Sequence, residues 1–211
     1  MKIKILIADD HAIVREGLKL IISEVPDMEV VAEAGSGPET VSLIHDGKCD
    51  LVLLDISMPG SNGIEVLKSI KREVPELPVL ILSMYPEEQY AIRALRAGAS
   101  GYLTKDEPSE QLLAAIRKAV AGGHYVSSSL AETLASSIDE KTSKLPHELL
   151  SDREYQVFQM IASGVSSREI ADSMTLSIKT VSTYRARVLG KMNMKSNAHL
   201  TRYAVQHGLI D

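Results

Sequence analysis

The sequence is poor in cysteine and in aromatic residues, since its 211 residues include one cysteine, no tryptophan, one phenylalanine and seven tyrosines. The single cysteine, Cys49, excludes a disulfide within the chain and favours a reducing compartment. No apolar run approaches the roughly 18 residues that a bilayer-spanning helix requires. The acidic pair Asp9 and Asp10 comes too early to leave room for the apolar region of a signal peptide. We therefore predict a cytoplasmic protein without a membrane partner.

Acidic residues are missing from one long C-terminal segment. No Asp or Glu occurs between residues 173 and 210, where six basic residues lie: Lys179, Arg185, Arg187, Lys191, Lys195 and Arg202. Residues 146–211 hold eight Lys or Arg against six Asp or Glu, a net of +2, which leaves −7 for residues 1–145 of a chain of net charge −5. This asymmetry favours a polyanionic partner for the C-terminal part alone, although a solvated basic helix has the same composition.

Strand and helix patterns alternate over the first 122 residues. Short apolar runs predict five strands, at Ile3–Ala8, Glu29–Ala34, Leu51–Leu54, Val79–Leu82 and Gly101–Leu103. Helical patterns follow them at Ile13–Ser23, Pro38–His45, Ile64–Glu73, Glu87–Ala97 and Glu110–Ala121. Five units of this kind predict an α/β fold with a doubly wound, five-stranded parallel sheet.

The pattern becomes entirely helical after Gly122 and Gly123. Leu130, Leu134 and Ile138 recur at four-residue steps and predict a short connecting helix, which a polar linker at 139–144 follows. We therefore divide the chain into a first domain, a linker and a small all-α domain, with these bounds: 1–122, 123–146 and 147–211.

Capping signals mark the helix starts of the last domain. Ser151 and Ser166 each precede a glutamate by three residues, in capping boxes with flanking apolar residues, and Ser177 caps a third helix. Only Thr175, Leu176 and Ser177 separate the second helix from the third. So tight a connection predicts a helix-turn-helix.

Three carboxylates and one amine directly follow predicted strands. Asp9 and Asp10 follow the first strand, Asp55 the third and Lys105 the fifth, and Ser83 lies at the end of the fourth. Each residue alone is compatible with a helix cap or a solvated surface group, but the carboxyl ends of parallel strands meet at one edge, where ligands bind. Clustered carboxylates suit Mg²⁺, and a carboxylate beside it is a nucleophile toward phosphorus. The sequence thus predicts an aspartyl-phosphate site.

The motifs at these strand ends resemble a known domain. The acid pair, LDISMPG around Asp55, LSM around Ser83 and GYLTK ending at Lys105 are similar, in order and placement, to the flavodoxin-like receiver domain of bacterial two-component response regulators. The resemblance covers residues 3–121. It implies that Asp55 accepts a phosphoryl group from a sensor histidine kinase and that Lys105 pairs with the phosphate.

The same resemblance assigns the metal ligands and a switch pair. Mg²⁺ would be held by Asp10, Asp55, the backbone carbonyl of Ser57 and, at least through water, Asp9. Ser83 and Tyr102 would be the switch pair, in which the hydroxyl moves to the phosphate and the aromatic ring turns inward. Tyr102 is also compatible with an ordinary half-buried strand aromatic.

Two positions depart from the receiver pattern. Asp106 follows Lys105 where a proline in a cis bond is common, and a non-proline cis bond costs roughly 3 kcal/mol. The isomer of the Lys105–Asp106 bond therefore stays open. Asn62 stands where an acid is common, although it is remote from the expected metal.

The third helix of the last domain has one polar face. On a helical wheel, Ile178, Val188, Leu189 and Met192 share the apolar face. The opposite face is small, polar and basic, with Lys179, Ser182, Thr183, Ala186, Arg187 and Gly190. Such a face suits the DNA major groove, where small residues permit close approach and basic ones meet phosphates or guanine. A solvent-exposed amphipathic helix gives the same pattern.

The segment from Leu150 to Met192 resembles a LuxR-type helix-turn-helix, and the whole chain is similar to response regulators of the NarL/FixJ class. The resemblance implies that Lys179 and Thr180 contact phosphates and that Ser182, Thr183 and Ala186 face base edges. Arg187 and Lys191 complete the predicted DNA-binding set. The last helix, from about Ala198 to His207, would dimerise the DNA-bound form.

One basic residue does not fit the DNA-facing side. Arg185 projects near the apolar face of the wheel. We therefore expect its guanidinium to pair with Glu154 or Glu169 at the edge of the helical core.

We accordingly predict a transcriptional regulator that is controlled by phosphorylation, and not an enzyme. Its cofactor would be Mg²⁺, its partners a sensor histidine kinase and double-stranded promoter DNA, and its phosphorylated form a homodimer. A phosphatase of the haloacid-dehalogenase type would need a second acid at Ser57. The intact acid cluster argues against a regulator that has lost phosphorylation, and RNA binding by the last domain would lack an aromatic stacking platform because Tyr184 and Tyr203 are scattered.

Overall fold

The computed structural model describes residues 2–58, 60–128, 130–132 and 145–210. The chain forms two compact units, residues 1–134 and 135–211. The first unit contains every strand of the described chain, and the described part of the second unit is entirely helical apart from turns.

A five-stranded parallel sheet organises the first unit. Its strands are β1 (Ile3–Ala8), β2 (Met28–Ala34), β3 (Leu51–Leu54), β6 (Val79–Ser83) and β7 (Gly101–Thr104), in the spatial order β2-β1-β3-β6-β7. The short strands β4 (Ser57–Met58) and β5 (Ser61–Asn62) form a separate antiparallel pair after β3. The predicted fold class is confirmed, and each main strand lies within one residue of its predicted bounds.

Five helices cover the sheet: α1 (Ala12–Ser23), α2 (Gly37–Ile44), α3 (Gly63–Glu73), α4 (Glu87–Arg96) and α5 (Ser109–Val120). They form because apolar residues recur at helical spacing, and Leu18 and Ile22 of α1 pack with Ile116 of α5 on one side of the sheet. The central strand β3 is buried along its whole length, as parallel strands between two helical layers are.

The strands deliver the predicted side chains to one edge of the sheet. Asp9 follows the last residue of β1, Asp55 follows β3, Ser83 is the last residue of β6 and Lys105 follows β7. All four strands run in the same direction, so their carboxyl ends share this edge.

In the described part of the second unit, a 3₁₀ turn at Pro146–Leu149 precedes four helices: α6 (Asp152–Ala162), α7 (Ser167–Ser173), α8 (Ile178–Lys191) and α9 (Asn197–Gln206). Both predicted capping boxes are present at Ser151 and Ser166, and Ser177 accepts a hydrogen bond from the Thr180 amide. The core includes the fully buried side chains Val157, Phe158, Ile170, Val181, Val188 and Leu200.

Two helical predictions have different outcomes. The wheel placed Ile178 on the apolar face of α8, but its side chain is 53% exposed because it occupies the first turn, beyond the reach of the core. Of the predicted connecting helix, Leu130 is helical and buried. Leu134, Ile138 and the polar linker lie outside the described residues, and the domain bounds stay a prediction.

Gly63 permits the close approach of α3 to the end of β3. A Cβ at this position would lie 2.3 Å from the Asp55 carbonyl oxygen and 2.6 Å from the Ile56 Cα, both backbone atoms that cannot rotate away. By contrast, Gly17 in the middle of α1 has no atom within 4 Å of its ideal Cβ. A methyl group would therefore clash with the backbone at Gly63 but meet no neighbouring atom at Gly17.

We expect Gly63→Ala to lower the free energy of unfolding by about 2 kcal/mol, because the clash displaces the backbone of Asp55. Gly17→Ala is the matched control, and it should raise the free energy of unfolding by up to about 1 kcal/mol because alanine is the better helix former. Urea unfolding at equilibrium measures both values. Equal and small effects of the two substitutions would contradict the close packing at Gly63.

Candidate functional site

An ammonium group bridges two buried carboxylates at the carboxyl edge of the sheet. Lys105 Nζ lies 2.6 Å from Asp9 Oδ2 and 2.9 Å from Asp55 Oδ2, and the Lys105 side chain is 7% exposed. Asp9 and Asp55 are each 3% exposed. Because β7 lies two strands away from β3, the lysine reaches its partners across the end of β6 with its long side chain.

The pocket has room for a cation among its oxygen atoms. Ligand atoms of Asp9, Asp10, His11 and Asp55 all lie within 4.8 Å of one another. Among the residues that the structure describes, no donor with hydrogen-bond geometry reaches the buried oxygens Asp55 Oδ1 and Asp10 Oδ1. Buried carboxylate oxygens need a partner, and hard oxygen ligands of this kind suit Mg²⁺. The residues therefore fit a divalent cation.

The charges in the pocket also favour a divalent cation. Burial alone would lower the pKa of Lys105, but the carboxylates of Asp55 and Asp9 outweigh it and raise this pKa above its ordinary value. Burial also raises the pKa of Asp55, and Lys105 opposes the rise only in part. One ammonium facing three carboxyl groups leaves a surplus of negative charge that a divalent cation would balance.

Sequence reasoning did not include His11 in this group. The residue occupies the N-cap position of α1, but its side chain does not cap the helix. Its Nδ1 lies 3.2 Å from Asp9 Oδ1 and 3.0 Å from Asp10 Oδ1. Only its position directly after the acid pair signals this placement in the sequence.

The predicted switch pair meets at the loop that follows β6. Ser83 is fully buried, and its Oγ accepts a hydrogen bond of 3.2 Å from the Tyr85 amide. The hydroxyl of Tyr102 donates a 2.7 Å hydrogen bond to the Tyr85 carbonyl. The Tyr102 ring is fully buried, which raises the pKa of its phenol and keeps it protonated. The ring thus points inward, and both side chains hold the same backbone residue.

The backbone after β7 answers the question of the Lys105–Asp106 bond. Every peptide bond in the described chain is trans, including this one. The amide of Lys105 donates a 2.8 Å hydrogen bond to the Ser83 carbonyl, which continues the β6–β7 pairing up to the lysine. The Ser57 backbone forms a hydrogen bond with the Asp55 carboxylate that opposes the rise which burial causes in the pKa of Asp55, and the role of the Ser57 carbonyl as a metal ligand stays a prediction. The Ser57 hydroxyl is buried without a hydrogen-bond partner in the described chain.

The outward face of α8 presents hydroxyl and basic side chains together. Five residues line one groove along this helix: Lys179, Thr180, Thr183, Tyr184 and Arg187. Ser182 and Ala186 are exposed beside it. The hydroxyls of Ser182 and Thr183 donate to carbonyls one turn earlier, each at 3.0 Å, so their oxygens remain available as acceptors.

Two basic residues of α8 take other partners than predicted. Arg185 does not pair with Glu154 or Glu169; its Nε donates a 2.7 Å hydrogen bond to Asn197 Oδ1, because its direction on the helix brings it to the start of α9. Glu154 pairs instead with Lys191, whose Nζ lies 2.6 Å from Glu154 Oε2. Lys191 thus compensates a buried carboxylate, and its predicted contact with DNA stays a prediction.

The environment of Glu154 explains why it needs this lysine. The carboxylate is 3% exposed, and its Oε2 also accepts a 2.8 Å hydrogen bond from the Ser151 amide. Burial raises the pKa of Glu154, but Lys191 and Ser151 together hold it below its ordinary value of 4.5. The charged form is thus stabilised in the folded domain.

The family models match both units of the chain. The model described as a response regulator receiver domain matches residues 5–117, and the model described as bacterial regulatory proteins of the luxR family matches residues 148–204. This chain is a two-component response regulator. It belongs to the NarL/FixJ class, as the motifs at the strand ends and in the helix-turn-helix predicted.

Relatives of the regulator match over nearly its full length. It is 38% identical over 215 residues to the oxygen regulatory protein NreC of Staphylococcus haemolyticus, with 99% of each chain covered. It is 36% identical over 210 residues to the response regulator GacA of Pseudomonas aeruginosa, with 99% of this chain and 98% of the relative covered. The similarity to these proteins therefore spans both matched segments of the chain.

Solved structures agree with this assignment. The response regulator ChrA of a heme-sensing two-component system is 32% identical, with 99% of each chain covered and a TM-score of 0.54. RcsB of Salmonella enterica serovar Typhimurium, bound to a promoter in the presence of the phosphomimetic BeF3−, is 25% identical, with coverages of 96% and 98% and a TM-score of 0.67. The regulator is accordingly a transcription factor controlled by phosphorylation. In the described part of the chain, no helix is long and apolar enough to cross a membrane.

Proposed function

We propose that Asp55 is the phosphoacceptor of the regulator and that a sensor histidine kinase is the donor. The observation that carries this proposal is the environment of the Asp55 carboxylate. One of its oxygens pairs with the Lys105 ammonium at 2.9 Å, and the other is buried without a hydrogen bond of regular geometry in the described chain. A buried carboxylate with a free oxygen beside a fixed positive charge is suited to attack a phosphorus atom.

The pocket would hold Mg²⁺ through Asp10, Asp55, the Ser57 carbonyl and, at least through water, Asp9. When bound, the cation neutralises negative charge on the transferring phosphoryl oxygens. In the transfer itself, a carboxylate oxygen of Asp55 forms the bond to phosphorus. The bond from phosphorus to the donor nitrogen breaks, and its electron pair leaves with the imidazole.

The side chains around Asp55 then respond to the added charge. Lys105 exchanges one of its carboxylate contacts for a phosphoryl oxygen. The Ser83 hydroxyl donates to another phosphoryl oxygen, and Tyr102 holds its inward position. The phosphoryl group thus shifts an equilibrium between two states of the β6–β7 region.

The output of this switch is DNA binding by a homodimer. Lys179 and Thr180 contact phosphates of double-stranded promoter DNA, Ser182, Thr183 and Ala186 face base edges, and Arg187 adds a further cationic contact. Dimerisation brings two such helices to two half-sites, which raises affinity through effective concentration. The regulator acts in the cytoplasm, where the promoter DNA lies, and does not turn over small substrates, since Ser57 replaces the second acid that a phosphatase of the dehalogenase type needs.

The phosphoacceptor is tested by intact mass after incubation with Mg²⁺ and acetyl phosphate. We expect wild type to gain one phosphoryl group and to shift toward a dimer in analytical ultracentrifugation. Asp55→Asn should gain neither, because the amide is not a nucleophile. A phosphoryl group on Asp55→Asn, or none on wild type, would overturn the assignment.

Lys179→Met and Lys191→Met remove the same charge from the same helix, but they should affect different properties of the protein. Lys179→Met should weaken DNA binding across sequences and reduce the slope of log affinity against log salt by about 1, with unchanged stability. Lys191→Met should lower the free energy of unfolding by about 1–2 kcal/mol, because it leaves Glu154 buried without its cation.

The Glu154 pair also has a pH signature. Since the folded pKa of Glu154 lies below its ordinary value of 4.5, its stabilising contribution is present above that pH and is lost as the pH falls through the folded pKa. Lys191→Met raises the folded pKa, so the variant should unfold at a higher pH than wild type in an acid titration followed by circular dichroism. Identical acid unfolding of the two proteins would contradict the pairing.

A further inference from the structure

Arg15 of α1 holds the backbone of the acid loop from outside the pocket. Its Nη1 donates a 2.7 Å hydrogen bond to the Asp9 carbonyl oxygen. Its Nε lies 3.2 Å from Glu33 Oε2 at the end of β2, and the second oxygen of Glu33 accepts from Lys19 Nζ at 2.8 Å. The guanidinium thus joins α1, β2 and the loop after β1 in one network.

The Asp9 peptide is fixed on both sides by this arrangement. Its amide donates a 3.0 Å hydrogen bond to the Ala34 carbonyl, next to Glu33, while its carbonyl accepts from Arg15. This carbonyl belongs to the peptide plane between Asp9 and Asp10, so its direction sets the orientation of the Asp10 backbone. Because a charged donor at 2.7 Å is a strong hydrogen bond, Arg15 restricts the rotation of the peptide that links the two acids.

We propose that Arg15 is a positioning residue for the divalent cation, acting through the backbone of Asp9 and the ion pair with Glu33. The proposal rests on the proposed function, since it assumes the cation site at Asp9, Asp10 and Asp55. The side chain itself does not reach the carboxylates, and its effect is on how often the acid loop adopts the binding arrangement.

The test measures binding of Mg²⁺ alone by isothermal titration calorimetry, and the Mg²⁺ concentration that half-saturates phosphorylation by acetyl phosphate. We expect Arg15→Ala to weaken Mg²⁺ binding about fivefold and to raise the half-saturating concentration equally, with the rate at saturating Mg²⁺ nearly unchanged. Arg117→Ala is the matched control, since it breaks the exposed Arg117–Asp27 ion pair of the same domain, and it should leave both values unchanged.

Glu33→Gln separates positioning from a purely structural role. The variant retains Arg15 but loses the charge that holds it, so its Mg²⁺ affinity should fall between wild type and Arg15→Ala. Unchanged Mg²⁺ affinity in folded Arg15→Ala, or an equal loss in Arg117→Ala, would overturn the proposal. Wild type that binds no Mg²⁺ at all would overturn the proposed cation site instead.

A second network links the switch residues to the chain that leaves the first unit. After α5, the Tyr125 amide donates a 2.8 Å hydrogen bond to the Ser100 carbonyl, and Tyr125 pairs with Gly101 at the start of β7. Gly101 is required there because a Cβ would lie 2.6 Å from the Tyr125 carbonyl oxygen. The segment from 123 to 128, called the strap below, therefore lies against the start of β7 at Tyr125.

A side-chain hydrogen bond joins the strap to α4. The Ser127 hydroxyl donates a short hydrogen bond to Glu87 Oε2 in the first turn of α4, and it accepts from the Leu130 amide at 3.1 Å. Glu87 follows the loop whose Tyr85 backbone is bonded by Ser83 and Tyr102. Because Glu87 is only two residues after Tyr85, a displacement of the Tyr85 backbone would move the partner of Ser127.

We infer that the Ser127–Glu87 contact is a latch that couples phosphorylation to the start of the interdomain linker. When the Ser83 hydroxyl turns to the phosphoryl group, its hydrogen bond with the Tyr85 amide is lost, and the start of α4 shifts away from Ser127. This inference also rests on the proposed function. It needs only two states of the loop at residues 84–87, which Ser83 and Ser127 both contact.

Hydrogen exchange measures the latch directly. On incubation of wild type with Mg²⁺ and acetyl phosphate, the Tyr125 and Leu130 amides should exchange at least threefold faster. Ser127→Asp retains an acceptor for the Leu130 amide but repels Glu87, so its Tyr125 amide should exchange fast without phosphate and the variant should show a smaller gain in dimerisation on phosphorylation. Adding Glu87→Gln should rescue it, because the amide donates to the new carboxylate. Ser69→Ala, which removes an exposed helical hydroxyl, is the control.

The outcomes separate the latch from the proposed phosphorylation. If wild type gains the phosphoryl group by mass but the exchange of both amides is unchanged, the latch is wrong and the phosphoacceptor stands. The same holds if Ser127→Asp behaves like Ser69→Ala. If wild type gains no phosphoryl group, the proposed function fails first, and fast exchange in Ser127→Asp still shows whether Glu87 holds the strap.

Discussion

The pocket of the first unit depends on one shared ammonium. Lys105 lies within 3 Å of carboxylates from two different strand ends, and nothing else in the pocket carries a fixed positive charge at such distances among the described side chains. Burial makes these contacts stronger than surface ion pairs, and it also makes an uncompensated carboxylate costly. The site is therefore held together by attraction while it retains a surplus of negative charge. That surplus supports the proposal that the pocket binds a divalent cation and a phosphoryl group.

The parallel sheet is what allows so few residues to build this site. Each strand contributes one side chain at its carboxyl end, and the helices and loops behind the strands fix the backbone from which the side chain projects. Gly63 brings α3 against the Asp55 carbonyl, and Arg15 bonds the Asp9 carbonyl. The backbone behind the pocket is thus fixed by packing and hydrogen bonds, while the side chains at its mouth can exchange partners. A phosphoryl group can change the hydrogen bonds of Ser83 and Lys105 without disturbing the strands.

Two lysines of α8 in the helix-turn-helix have different environments. Lys179 lies on the exposed face beside a groove of hydroxyl groups, while Lys191 is the last residue of α8 and pairs with the buried Glu154. Glu154 in turn completes a capping box at the start of α6. The basic charge of this segment therefore has a part that pairs with a buried carboxylate and a part that is exposed. In the proposed function, the exposed part is the one that contributes to the salt dependence of DNA binding.

Sequence alone determined the features that depend on local rules. The strand ends at Asp55 and Lys105, the capping boxes at Ser151 and Ser166 and the order of strand and helix all follow from periodicity and from hydrogen bonds that span three or four residues. The tertiary structure decided which side chains meet. A helical wheel gives the direction in which the Arg185 and Ile178 side chains project. It does not show that Asn197 lies within reach of Arg185, or that Ile178 remains exposed. The ring of His11 against the acid pair and the clamp of Arg15 join residues from separate elements. Such contacts depend on distances that only the packed chain sets.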